Sequence, residues 1–113
     1  MKQISFNEAS LRMPCGGDVD CGGLIKEAFV LSDVIVVLLD PDENLGRDGQ
    51  YKNLKGYNMT GNCIWKAELP TEKTSDVYWK IKSEDPLVAS SFSSYNCQIN
   101  ELTGRIVERE YYK

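Results

Sequence analysis

Four cysteines carry whatever covalent or metal chemistry this chain could perform, because the 113 residues contain no histidine. Cys15 and Cys21 flank Gly16-Gly17-Asp18-Val19-Asp20, so two thiols and two carboxylates fall within one short stretch. That composition suggests a metal knuckle, but five residues separate the cysteines, and structural zinc loops place two to four between paired ligands. Cys63 and Cys97 lie in alternating apolar segments, where a small buried thiol is ordinary. Without histidine the commonest general base and the usual nucleophilic triads are missing, so a cysteine nucleophile needs another activating base. A glycosidase-type carboxylate pair cannot be assigned among acids scattered over turns. No catalytic residues, metal or cofactor are therefore expected, and the chain is read as a non-enzyme. Gly16-Gly17 and Gly22-Gly23 precede neither a Lys-Ser/Thr pair nor a helix-opening fingerprint, which removes the signature of a phosphate loop.

Thirteen basic against 17 acidic residues give a formal charge of −4. This balance disfavours phosphate backbones and anionic membrane surfaces, so no nucleic acid or membrane partner is expected and a basic protein is the natural complement. Met1 to Glu8 contains no apolar run of the signal-peptide kind, and the longest apolar run, Val34 to Leu39, is too short to span a bilayer. A cytoplasmic protein with free thiols is the expectation.

The elements that must position these residues are strands. Period-two alternation predominates, and the pattern repeats. Ser32 to Leu39, a polar loop and Asn58 to Trp65 are echoed by Glu84 to Ala89 and Asn100 to Val107, with the two Thr-Gly pairs 43 residues apart. The Asp33 and Asp85 positions are 52 apart, so the first copy carries nine additional loop residues. The expected fold is all-β in one domain, 1–113. Short N-terminal strands and a glycine-rich loop occupy 1–23; two antiparallel four-stranded meanders, 24–69 and 77–113, pack together. Val34 to Leu39 is apolar on both faces and so should be central. Leu24 to Leu31 also contains good helix formers, but its hairpin distance from Val34 favours a strand. Trp65, Trp79, Phe92 and Tyr95 alternate with polar residues and are expected to pack inward.

The added residues fall in Asp40 to Asn53, a loop rich in carboxylates. Loops of this length in a small domain are commonly functional. Asp40, Asp42, Glu43 and Asp48 are the expected charged contacts with a partner, and Leu45 and Tyr51 its apolar anchors.

Residues Asn58 to Trp65 and Asn100 to Val107 resemble the Thr-Gly turn of quinoprotein-type β-propeller blades. The first copy keeps Thr60, Gly61, Ile64 and Trp65; the second keeps Thr103 and Gly104 but has Glu108 in place of the tryptophan. Asp33 to Leu39 and Leu54 to Lys113 also resemble small bacterial immunity proteins encoded beside toxins. That resemblance implies a cytoplasmic inhibitor that occludes a cognate, basic toxin. The alternative is a non-catalytic protein-protein interaction module or accessory subunit of propeller-like origin.

Overall fold

The computed structural model describes residues 2–14, 16–43 and 49–112, and among these no α-helix occurs. The architecture is all-β, and the described residues form twelve strands in three antiparallel sheets. The N-terminal strands are β1 (Lys2–Gln3), β2 (Phe6–Asn7), β3 (Ser10–Arg12) and β4 (Asp18–Asp20). The first meander comprises β5 (Ile25–Leu31), β6 (Val34–Leu39), β7 (Leu54–Tyr57) and β8 (Cys63–Lys66), with β1 added at its β5 edge. The second comprises β9 (Tyr78–Ser83), β10 (Val88–Ser91), β11 (Tyr95–Ile99) and β12 (Ile106–Tyr111), and β2, β3 and β4 form the third sheet.

Leu24 to Leu31 is a strand from Ile25 onward, as hairpin spacing requires, despite its helix formers. Ser32 and Asp33 both take positive φ, 51° and 61°, which gives the turn a twist matching the two strands it joins. Asp18-Val19-Asp20, by contrast, is not loop. Val19 lies opposite Leu11 on β3, so one apolar pair suffices to recruit a three-residue strand between the glycines.

All six residues of β6 are buried, and the alternation of side chains divides them between two cores. Val34, Val36 and Leu38 face Tyr78, Leu87, Ala89, Cys97 and Ile99 of the second meander, together with Phe29, Leu54 and Trp65. Ile35, Val37 and Leu39 face Leu11, Met13 and Cys21 of the N-terminal region, together with Tyr51, Tyr57 and Val77. The first meander is therefore the middle layer. β6 and β10 are each the second strand of a four-stranded meander, so the duplication read from sequence corresponds to equivalent positions in the two sheets.

The two Thr-Gly turns are built alike. Asn58 Oδ1 accepts the Thr60 N–H at 3.1 Å, Asn100 Oδ1 accepts the Leu102 N–H at 2.8 Å, and Gly61 and Gly104 take φ of 95° and 75°. Each asparagine thereby closes the loop with its own side chain, and the glycine supplies a conformation other residues rarely adopt.

Two buried polar side chains fix the connections. Asn53 donates to Leu39 O at 3.0 Å and to Tyr78 O at 2.6 Å, and accepts the Tyr78 N–H at 3.0 Å. It joins the end of β6 to the start of β9. Asp76 accepts hydroxyl bonds from Thr71 at 2.7 Å and Ser93 at 3.0 Å, holding the inter-meander connection against the β10–β11 turn.

Candidate protein-binding surface

Of the six expected contact residues, three can be placed fully. Asp40 is half-buried; its N–H donates to Leu24 O at 2.7 Å, and its Oδ1 accepts the Asp42 N–H at 2.9 Å. Its carboxylate thus shapes the short 3-10 turn Pro41–Glu43, while Asp42 is exposed. Tyr51 is not an exposed anchor: it is 6% exposed and packs in the core between the first meander and the N-terminal sheet. The chain turns inward there to reach β7, and a large aromatic body is stabilised by burial more than by a position in solvent. Glu43 closes the 3-10 turn, but its side chain, Leu45 and Asp48 lie outside the described residues.

Cys15 lies outside the described residues, and of the other three thiols two sit in the cores. Cys21 and Cys97 are buried and unbridged, and Cys63 is free and exposed. Burial pushes the Cys21 thiol up, against the opposing effect of a hydrogen bond from Tyr57; Cys97 is raised in the same way beside Tyr78. Burial first, then these thiol contacts, push both tyrosines well above the usual phenol range. Reactive cysteines are poised as thiolates in exposed, electropositive surroundings, the opposite of this arrangement. At pH 8, iodoacetamide is expected to label Cys63 in the folded protein and to reach Cys21 and Cys97 only after unfolding. Peptide mass mapping with and without urea checks this; labelling of Cys97 in the native protein would show that its burial is wrong. Among the described residues no group of three metal-ligating side chains converges. No helix among them is long and apolar enough to cross a membrane.

A second candidate surface lies on the second meander. Lys80, Ser90, Asn96 and Glu110 form one cross-strand row, and Ser83, Val88, Gln98 and Glu108 the next. A shallow depression of about 260 Å³ opens over them, lined by Lys82, Ser83, Val88, Asn96, Gln98, Glu108 and Glu110. The lysines stand on β9 and the carboxylates on the opposite edge, β12, where no described residue hydrogen-bonds or ion-pairs with the Glu108 or Glu110 carboxylate. Trp79 is half-buried rather than fully inward, with Lys80 Nζ 4.6 Å from its ring, and Phe92 is 55% exposed in the β10–β11 turn. The inward packing expected of Trp65, Trp79, Phe92 and Tyr95 holds for Trp65, which is buried, holds in part for Tyr95 and Trp79, which are half-buried, and fails for Phe92. A residue at a tight turn has no facing sheet to cover it.

β12 itself is held from beneath. Arg109 donates to Pro70 O at 2.6 Å and lies 5.8 Å from the Tyr95 ring centroid, and Tyr95 and Tyr111 meet edge-on with centroids 5.5 Å apart. Val107 and Tyr111 are 59% and 62% exposed. The result is a braced edge strand that holds apolar side chains and the Glu108 and Glu110 carboxylates in solvent. The sequence pattern marks 105–112 only as the end of the second meander, 77–113. Its alternating Glu108-Arg109-Glu110 was the available signal, since charges are a common device on exposed strand edges.

A family model described as a domain of unknown function (DUF7957) matches residues 1–111. The chain belongs to this family. No curated protein and no solved structure matches it. The match covers all three sheets, so the family's unit is the whole three-layered domain and not one meander.

Proposed function

We propose that this chain is a non-catalytic protein-binding module that docks on a basic partner, in the manner of an immunity-type inhibitor occluding a bacterial toxin. The observation that carries the proposal is the outer side of β12, where the exposed Glu108 and Glu110 carboxylates have no counterion among the described residues and stand beside exposed Val107 and Tyr111. Carboxylates so placed accelerate encounter with a cationic surface and set orientation, and the apolar neighbours contribute the area that slows dissociation. The acidic balance of the chain acts in the same direction at long range. Burial of Cys21 and Cys97 with raised thiol pKa, and the engagement of Asp76 by hydroxyls, support structural rather than catalytic duties for these groups.

Coexpression with the product of the adjacent gene tests the role. The expected result is a stoichiometric complex by size-exclusion chromatography with light scattering, with host growth restored where that product alone is toxic. Substituting both Glu108 and Glu110 by lysine is expected to weaken the complex by about tenfold or more, with a shallower salt dependence. A complex with a harmless partner would retain the binding role and remove the immunity role. Absence of both complex and protection removes the proposal.

A further inference from the structure

The outer edge of β12 is an open hydrogen-bonding ladder. Tyr112 N–H donates to Ser94 O at 2.8 Å, and the register places Tyr111 opposite Tyr95, Glu110 opposite Asn96 and Glu108 opposite Gln98. Hydrogen-bonded pairs alternate along an antiparallel ladder, so bonds to β11 fall on Glu108, Glu110 and Tyr112. The N–H and C=O of Arg109 and Tyr111 therefore point away from the sheet. Among the described residues only the start of the strand is closed, by Glu68, whose Oε1 accepts the Ile106 N–H at 2.8 Å. A depression of about 370 Å³ runs along the edge, lined by Glu68, Leu69, Ile106, Val107, Glu108 and Arg109.

A second copy of the chain is a poor occupant. Outward-facing residues must oppose outward-facing residues, which leaves three well-overlapped antiparallel registers centred on 108, 109 or 110. The first opposes Glu108 to Glu108, the second Arg109 to Arg109 and Glu108 to Glu110, and the third Glu110 to Glu110. Like charges directly opposite destabilise cross-strand pairs, so every such register is penalised.

The geometry points to strand addition at β12 by an extended segment of a basic protein partner, and this inference rests on the binding role proposed above. Main-chain bonds to Arg109 and Tyr111 supply the attachment. Lysine or arginine at alternate positions of the segment meets Glu108 and Glu110 on the outer face. The intervening positions meet Tyr111 and the depression beside Leu69 and take apolar side chains.

The probe is a capped peptide of roughly eight alternating lysine and valine residues, long enough to span the strand. Its expected signature is hydrogen-exchange protection of the Arg109 and Tyr111 amides. The glutamate-valine counterpart is expected to bind about tenfold more weakly or less. Backbone N-methylation at the peptide's edge-facing positions abolishes binding without altering this protein. Tyr111→Pro removes one outward N–H without touching a bond to β11 and lowers affinity by a similar factor. No protection at Arg109 and Tyr111 with millimolar peptide, indifference to N-methylation, or equal affinity for the acidic peptide overturns the inference. So does a dimer whose formation protects the same amides. A partner complex that forms without protecting them removes this edge assignment and leaves the binding role intact; peptide addition without any protein partner does the reverse.

Discussion

Asn53→Asp is expected to destabilise the protein by about 3–5 kcal/mol at neutral pH, the cost of breaking a buried polar arrangement so that a charge lacks its partner. The asparagine is fully buried and uses its amide nitrogen for two carbonyls, Leu39 O and Tyr78 O, while its oxygen accepts the Tyr78 N–H. Aspartate preserves the shape and the acceptor but aims its second oxygen at two other oxygens. The neutral acid is favoured there, so the folded-state pKa of the substituted carboxyl lies above its unfolded value of about 4. A raised carboxyl pKa makes the penalty smallest at low pH, growing as pH rises from the unfolded toward the folded value. Urea unfolding of parent and variant at pH 5 and pH 7 checks this: the difference between them is expected to be larger at pH 7. A pH-independent difference below about 1 kcal/mol, the scale of an ordinary exposed hydrogen bond, would mean that Asn53 does not join the two meanders.

Trp65→Ala is expected to cost about 3–5 kcal/mol, as large aromatic-to-alanine changes in cores do. The indole belongs to the first meander, yet its Nε1 donates to Glu101 O of the second at 2.8 Å, and its ring lies 2.8 Å from where a Gly104 Cβ would stand. On its other side it closes over Gly56 of β7, at which a Cβ would strike the ring. Gly56 has no unusual backbone angle, so its need for glycine is spatial. This makes a double-mutant cycle informative: Gly56→Ala destabilises the parent by roughly 1–3 kcal/mol through overpacking. In the Trp65→Ala background the same methyl enters vacated space and becomes neutral or favourable. Additive costs in thermal and urea unfolding would show that the indole and glycine do not share that space.

Strand order was legible where one side of a segment differs chemically from the other. Val77-Tyr78-Trp79-Lys80-Ile81-Lys82 declares a half-wet strand, Val34 to Leu39 a dry one, and two asparagine-led Thr-Gly turns fix hairpins on local chemistry alone. β4 escaped detection because one valine between two aspartates is below any periodic signal, and only β3, six positions earlier, gives it a partner. The candidate contact surface was less legible still. Carboxylate density drew attention to Asp40 to Asp48, whereas Asp40 is spent on its own turn and Tyr51 on the core. Whether Glu108 and Glu110 sit mid-sheet or at a border depends on which strands pair with β12, and pairing between distant segments sets that.

A strand lacking any wet side, as β6 does, offers substitution no lenient position, because every change in it disturbs one of two cores. Sequence drift is thereby driven outward, to the turns and to the two flanking layers. A lineage of such domains can revise its outer surfaces while the plank in the middle stays the same.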